Sequence, residues 1–131
     1  MSLLQWSERL DVHDDGMNRE HVELIRLMNV VYDANAGGNS KADIVTALDN
    51  MVLFVVKHFE NEEAHMESIG FSGLKKHKYI HKDLLDRVGK YVQEFKESQS
   101  KVLPEDFFEF LKFWLVSHIE GIDTKYAKSA S

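Results

Sequence analysis

Histidines and carboxylates recur in this sequence at intervals that suit a metal site. Residues 58–62 read HFENE, 77–81 read HKYIH and 118–123 read HIEGID, and His21 closes MNREH. A step of four places His58 with Glu62, and His77 with His81, on one face of a helix. The step of five from His118 to Asp123 would take the aspartate off that face in an unbroken α-helix. A wide or ending turn at Gly121 brings it back, and such turns are common at functional sites. Imidazole nitrogen and carboxylate oxygen are ligands for transition ions. The chain has no cysteine, which removes thiolate sites, disulfides and thiol nucleophiles together.

Four amphipathic segments must position these residues. The first spans about 18–37, with Asn18 suited to an N-cap and Gly37 and Gly38 to a helix end, and its seam is His21, Leu24, Met28 and Val31. The second, about 41–66, carries Ile44, Leu48, Met51, Val55, His58 and Glu62 at steps of three and four. The third, about 71–97, runs Leu74, His77, His81, Leu84 and Val88 on to Tyr91 and Phe95, and tolerates Gly89. The fourth, about 104–120, has Pro104 in its first turn and then Phe107, Leu111, Trp114 and His118. Short connections make neighbouring helices antiparallel, which predicts an all-α, up-down-up-down antiparallel four-helix bundle. One domain over residues 1–131 is expected, with residues 1–17 as an N-terminal arm anchored by Trp6.

Antiparallel threading gives these positions a common level. His21 lies near the start of the first helix, His58 and Glu62 near the end of the second, His77 and His81 near the start of the third, and His118 near the end of the fourth. All four places are at one end of the bundle. A lone histidine on an apolar helix face is usually a core residue with one hydrogen bond, but five at one level need a different account. Each unsatisfied buried group costs about 1–3 kcal/mol, against a domain stability of about 5–15 kcal/mol. A metal satisfies them and couples its binding to folding. Five imidazoles and two carboxylates exceed the needs of one zinc ion, and a calcium site would be all oxygen. If Glu62 and Asp123 bridge two ions, and a solvent oxygen bridges as well, the donors fall one short of completing two octahedra. That open position would take a small molecule. The donor set suits iron, and manganese, cobalt and zinc can use the same ligands.

A first-helix histidine followed in order by H-x-x-x-E, H-x-x-x-H and H-x-x-x-x-D resembles the hemerythrin family in its bacterial form, and the likeness extends from Trp6 to Tyr126. The resemblance implies two non-heme iron ions, oxo- or hydroxo-bridged, with His77, His81 and His118 on one iron and His21 and His58 on the other. Glu62 and Asp123 would bridge, and the second iron would keep the open position. It also implies an apolar dioxygen pocket lined by Leu24, Phe59, Trp114 and Ile119. The activity implied is reversible dioxygen binding for storage or delivery rather than catalysis, with oxygen or redox sensing in a signalling protein as the alternative. The approach to the first helix departs from the family pattern: Asn18 stands for an aspartate, Glu20 for a glutamine, and His13 for a common glycine. His13 reads as a surface residue of the arm. His65, two turns beyond His58 and roughly 10 Å away, reads as a helix-end residue outside the cluster.

Bulk composition narrows the remaining classes. The formal charge of −6 and pI near 5.6 argue against a nucleic-acid partner. A hydrophobic content of 44% with one proline suits a helical globular protein. The longest apolar run, MVLFVV at 51–56, is far short of a membrane span, and the N-terminal residues lack the apolar stretch of a signal peptide. A cytoplasmic, monomeric protein is the default expectation, and the initial Met1 favours a free-standing one. Ferritin-like oxidases need a repeated Glu-x-x-His motif; this chain has that spacing once, at Glu62 and His65, so oxidase chemistry is not expected.

Overall fold

The computed structural model describes residues 15–118, and among them the elements are α1 (Asp15–Ala36), α2 (Lys41–Ser68), α3 (Leu74–Glu97) and α4 (Glu105–His118). The anticipated arm with Trp6 and His13 falls largely outside the described residues, as do Ile119 and Asp123. Each helix buries most of the seam expected of it, with Leu74 and Tyr91 of α3 half-buried. Leu24, Met28 and Val31 of α1, Ile44, Leu48 and Met51 of α2, and Leu111 of α4 are wholly removed from solvent, and Val88 of α3 is almost so. At about 25 cal/mol per Å² of buried apolar surface, this shared interior holds the helices together far more than their intrinsic propensities do.

Contacts at both ends fix the antiparallel order. At one end, Asn35 in the last turn of α1 accepts from the Leu103 amide at 2.7 Å and donates to the Leu103 carbonyl at 3.4 Å, tying the α3–α4 connection to α1. There too, Lys41 at the start of α2 donates to the Ser98 carbonyl at 2.6 Å and lies 4.8 Å from the Phe95 ring, beside the end of α3. At the other end, residues 21, 58, 62, 77, 81 and 118 meet one another. The result is an up-down-up-down bundle.

Local sequence explains the turns. Ser40 caps α2, its hydroxyl accepting from the Asp43 amide at 3.2 Å. Gly70 follows α2 at φ 66°, where the Phe71 amide returns to the Met66 carbonyl at 2.9 Å and the Gly70 amide to Glu67 at 3.1 Å. This paired closure needs a left-handed residue, which glycine adopts without a Cβ penalty. Gly38 plays the equivalent part after α1 at φ 71°.

Several boundaries differ from the sequence reading, the ends of α1 and α2 by one and two residues and three helix starts as follows. Asn18 is not an N-cap: α1 already runs from Asp15. Met17, 8% exposed, extends the buried seam one turn back from His21, and packing that residue keeps the backbone helical through Asn18. α3 begins at Leu74 rather than at 71, because the closure at Gly70 is followed by a second turn in which the Leu74 amide bonds the Phe71 carbonyl at 3.2 Å. Pro104 stands just ahead of α4, and its carbonyl accepts from the Phe107 amide at 3.1 Å. Among the described residues, no helix is long and apolar enough to cross a membrane.

Candidate metal centre

One carboxylate organises the polar end of the bundle. Glu62, on α2, is fully buried, and its two oxygens face different groups of histidines. Oε2 lies 3.3 Å from Nε2 of His21 on α1 and 3.4 Å from Nε2 of His58, one turn earlier on α2. Oε1 lies 2.9 Å from Nε2 of His81 and 3.2 Å from Nε2 of His77, both on α3, and 3.9 Å from Nε2 of His118 on α4. The four-residue steps read from the sequence therefore do what helix geometry requires, aiming His58 with Glu62, and His77 with His81, into one space. All five imidazoles are between 0 and 4% exposed.

The nitrogens are spaced as metal donors. Nε2 of His118 is 3.2 Å from Nε2 of His77 and 3.2 Å from Nε2 of His81. Metal–nitrogen bonds of about 2.0–2.1 Å, at angles between a right angle and tetrahedral, put neighbouring donors about 2.8–3.4 Å apart. The observed separations fall in that range. Two donor groups result, Glu62 with His77, His81 and His118, and Glu62 with His21 and His58, which share only the carboxylate.

Electrostatics favour the same arrangement. Burial pushes the Glu62 carboxyl up, but hydrogen bonding with His118, His21, His58 and His77 outweighs it and holds the group well below its ordinary 4.5. An ionised bridging oxygen pair is what two cations require. Around it the walls are aromatic and buried. Phe59, 2% exposed, lies parallel to the His81 ring at 3.8 Å and edge-on to Trp114 at 5.7 Å. Trp114 lies 6.1 Å from the His118 ring, and its buried indole N–H meets no acceptor among the described residues. Leu24, on α1 one turn from His21, is wholly buried.

The structure thus brings together His21, His58, Glu62, His77, His81 and His118, with Leu24, Phe59 and Trp114 buried in the same bundle. Asp123 and Ile119, the other expected site residues, lie outside the described residues. His65 is half-buried in the last turn of α2 and takes no part in either donor group. Three residues went unrecognised as part of the site in the sequence. Glu20 Oε1 is 2.7 Å from Nδ1 of His58, Asn61 donates to Glu20 Oε2 at 3.0 Å, and Glu63 Oε2 is 3.1 Å from Nδ1 of His81. Glu63 and Asn61 flank Glu62 in sequence, and nothing in their spacing sets them apart from surface polar residues. Only pairing across helices reveals them.

A bundle whose four helices each direct histidine toward one buried carboxylate is a cation-binding protein in form. The sequence profile of the Hemerythrin HHE cation binding domain matches residues 12–130, and the chain belongs to the hemerythrin family. It is 28% identical to a bacteriohemerythrin of Stenotrophomonas maltophilia, over 97% of this chain and 81% of that one. It is 31% identical to the myohemerythrin of Riftia pachyptila, over 92% and 88% of the two chains. A crystal structure of wild-type hemerythrin superimposes with a TM-score of 0.88 at 27% identity, covering 99% of both chains. The cofactor of the family is a di-iron centre, and the nitrogen and oxygen donors found here fit it.

Proposed function

We propose that this protein binds dioxygen reversibly at a non-heme di-iron centre, for storage or delivery. The observation that carries the reading is the division of Glu62: one oxygen toward two histidines, the other toward three. On this reading His77, His81 and His118 hold one ion, His21 and His58 the other, and Glu62 spans both, joined by Asp123. The half with fewer histidines keeps the position open to a small ligand. When bound, the iron pair supplies the electrons that let dioxygen be taken up and given back.

The chain's own residues do the rest. The four helices each place at least one of the five rings at the centre, so binding of the ions would be coupled to the packing of the bundle. Glu62 offers a negative charge between two positive sites. Phe59 fixes the plane of His81 by stacking and, with Leu24 and Trp114, forms an apolar wall that keeps water from the open position. Excluding water matters because solvent entry would leave the centre oxidised and inactive. Wall and ligands together suit a carrier rather than an enzyme. We take the protein to act as a single cytoplasmic domain, without nucleic-acid or membrane partners, and as a monomer.

Oxygenation of the iron-loaded, reduced protein tests this directly. A visible absorption band should appear in air and fade under vacuum through repeated cycles. Irreversible bleaching on the first exposure would instead favour redox sensing or catalysis.

A further inference from the structure

Two carboxylates outside the donor set stand behind the metal-facing histidines. His58 and His81 point Nε2 toward Glu62, and each ring uses its other nitrogen, Nδ1, on an acid: Glu20 Oε1 at 2.7 Å and Glu63 Oε2 at 3.1 Å. An ionised carboxylate can only accept, so the ring proton stands on Nδ1, and Nε2 keeps its lone pair for a metal. The two halves of the centre are supported unequally. The Glu20 contact is shorter, and its second oxygen accepts from Asn61 at 3.0 Å, so two residues of α2, His58 and Asn61, hold this α1 carboxylate in place. Glu63 has no such clamp among the described residues, and its partial exposure is similar, 24% against 23% for Glu20.

A negative acceptor on Nδ1 draws the ring proton toward itself and makes Nε2 a stronger donor, which favours the more highly charged metal ion. Accordingly, we propose that Glu20 is a positioning residue of the centre. It holds His58 in its metal-binding tautomer, and its charge tilts the iron pair toward the oxidised state; Glu63 does the same more weakly through His81. This rests on the di-iron reading above.

The test is a potentiometric titration, without oxygen, of iron-loaded wild type and the variants Glu20→Gln and Glu63→Gln. Glutamine keeps the shape and an accepting oxygen but removes the charge, so a purely structural role would leave the potential unmoved. Glu20→Gln should disfavour the oxidised state about tenfold, a rise of about 59 mV in midpoint per electron, and Glu63→Gln should give a smaller rise. An unchanged midpoint in Glu20→Gln, with full iron content and helicity, would overturn the proposal. Should Glu20→Gln fail to retain iron, Asn61→Ala takes its place: it loosens the carboxylate without removing it and should raise the midpoint by less, and no change would again overturn the proposal. A wild type that takes up no iron removes the di-iron reading and this one with it, whereas a loaded wild type beside an unmoved variant removes this one alone.

Discussion

Glu62 concentrates the chemistry of the site in one side chain. Its carboxyl, and that of Glu20, are held below the ordinary 4.5, in each case against a burial effect that pushes up and hydrogen bonds that pull down. A depressed folded-state pKa contributes stability that is present above the unfolded value and lost as pH falls through the folded one. The metal-free protein should therefore lose urea resistance as pH drops below about 4.5. Glu62→Gln should flatten that acid limb, and a stability that rises on acidification over the same range would contradict the assignment. The residues that meet at the polar end were largely legible from residue types, because histidine at helical steps on an apolar face is costly unless something satisfies it. Glu20, Asn61 and Glu63 were not, since an acidic residue on a helix flank looks the same whether it meets water or the Nδ1 of a ring on another helix.

Helix order was readable because the breakers are few and strong. Gly38 and Gly70 occupy left-handed positions close to where the periodic seams stop. The misplaced start at Asn18 came from weighing local capping preference without the packing of Met17, and that at residue 71 from a second turn that periodicity does not show. The connection between α3 and α4 could not be read from spacing either. It is pinned by Asn35, whose Oδ1 takes the amide of Leu103, a residue only 4% exposed. Asn35→Ala would leave that amide without its acceptor and should destabilise the protein by about 1–3 kcal/mol, read from the urea midpoint. A wild-type midpoint would show that the loop does not depend on this clamp. Exposed ion pairs such as Lys96 with Asp49 and Arg87 with Asp83 contribute far less, roughly 0–1 kcal/mol each.

Across the whole molecule, the bundle has an apolar end that holds the helices and a polar end that holds the ions. Aromatic pairs such as Tyr32 with Phe108 at 5.2 Å and Tyr91 with Phe107 at 5.4 Å lock the first end. The second gathers five buried imidazoles and a carboxylate, and bound cations stabilise it by mass action. With free metal at a thousandfold excess over its Kd, this amounts to about 4 kcal/mol, or on the order of 10 °C in Tm. Stripping the metal with a chelator should lower Tm by that order while leaving the helices formed at low temperature. An unchanged Tm would mean that the polar end is stable by itself. The common level of residues 21, 58, 77 and 118 followed from antiparallel threading of the sequence, whereas their division into two groups was implied only by the family resemblance.

The central claim is that one carboxylate is shared between two separate groups of histidines, each holding an ion. Metal analysis of the purified protein after growth with iron tests it most directly. About two irons per chain are predicted, falling sharply in Glu62→Ala. A wild-type value near one would contradict the account.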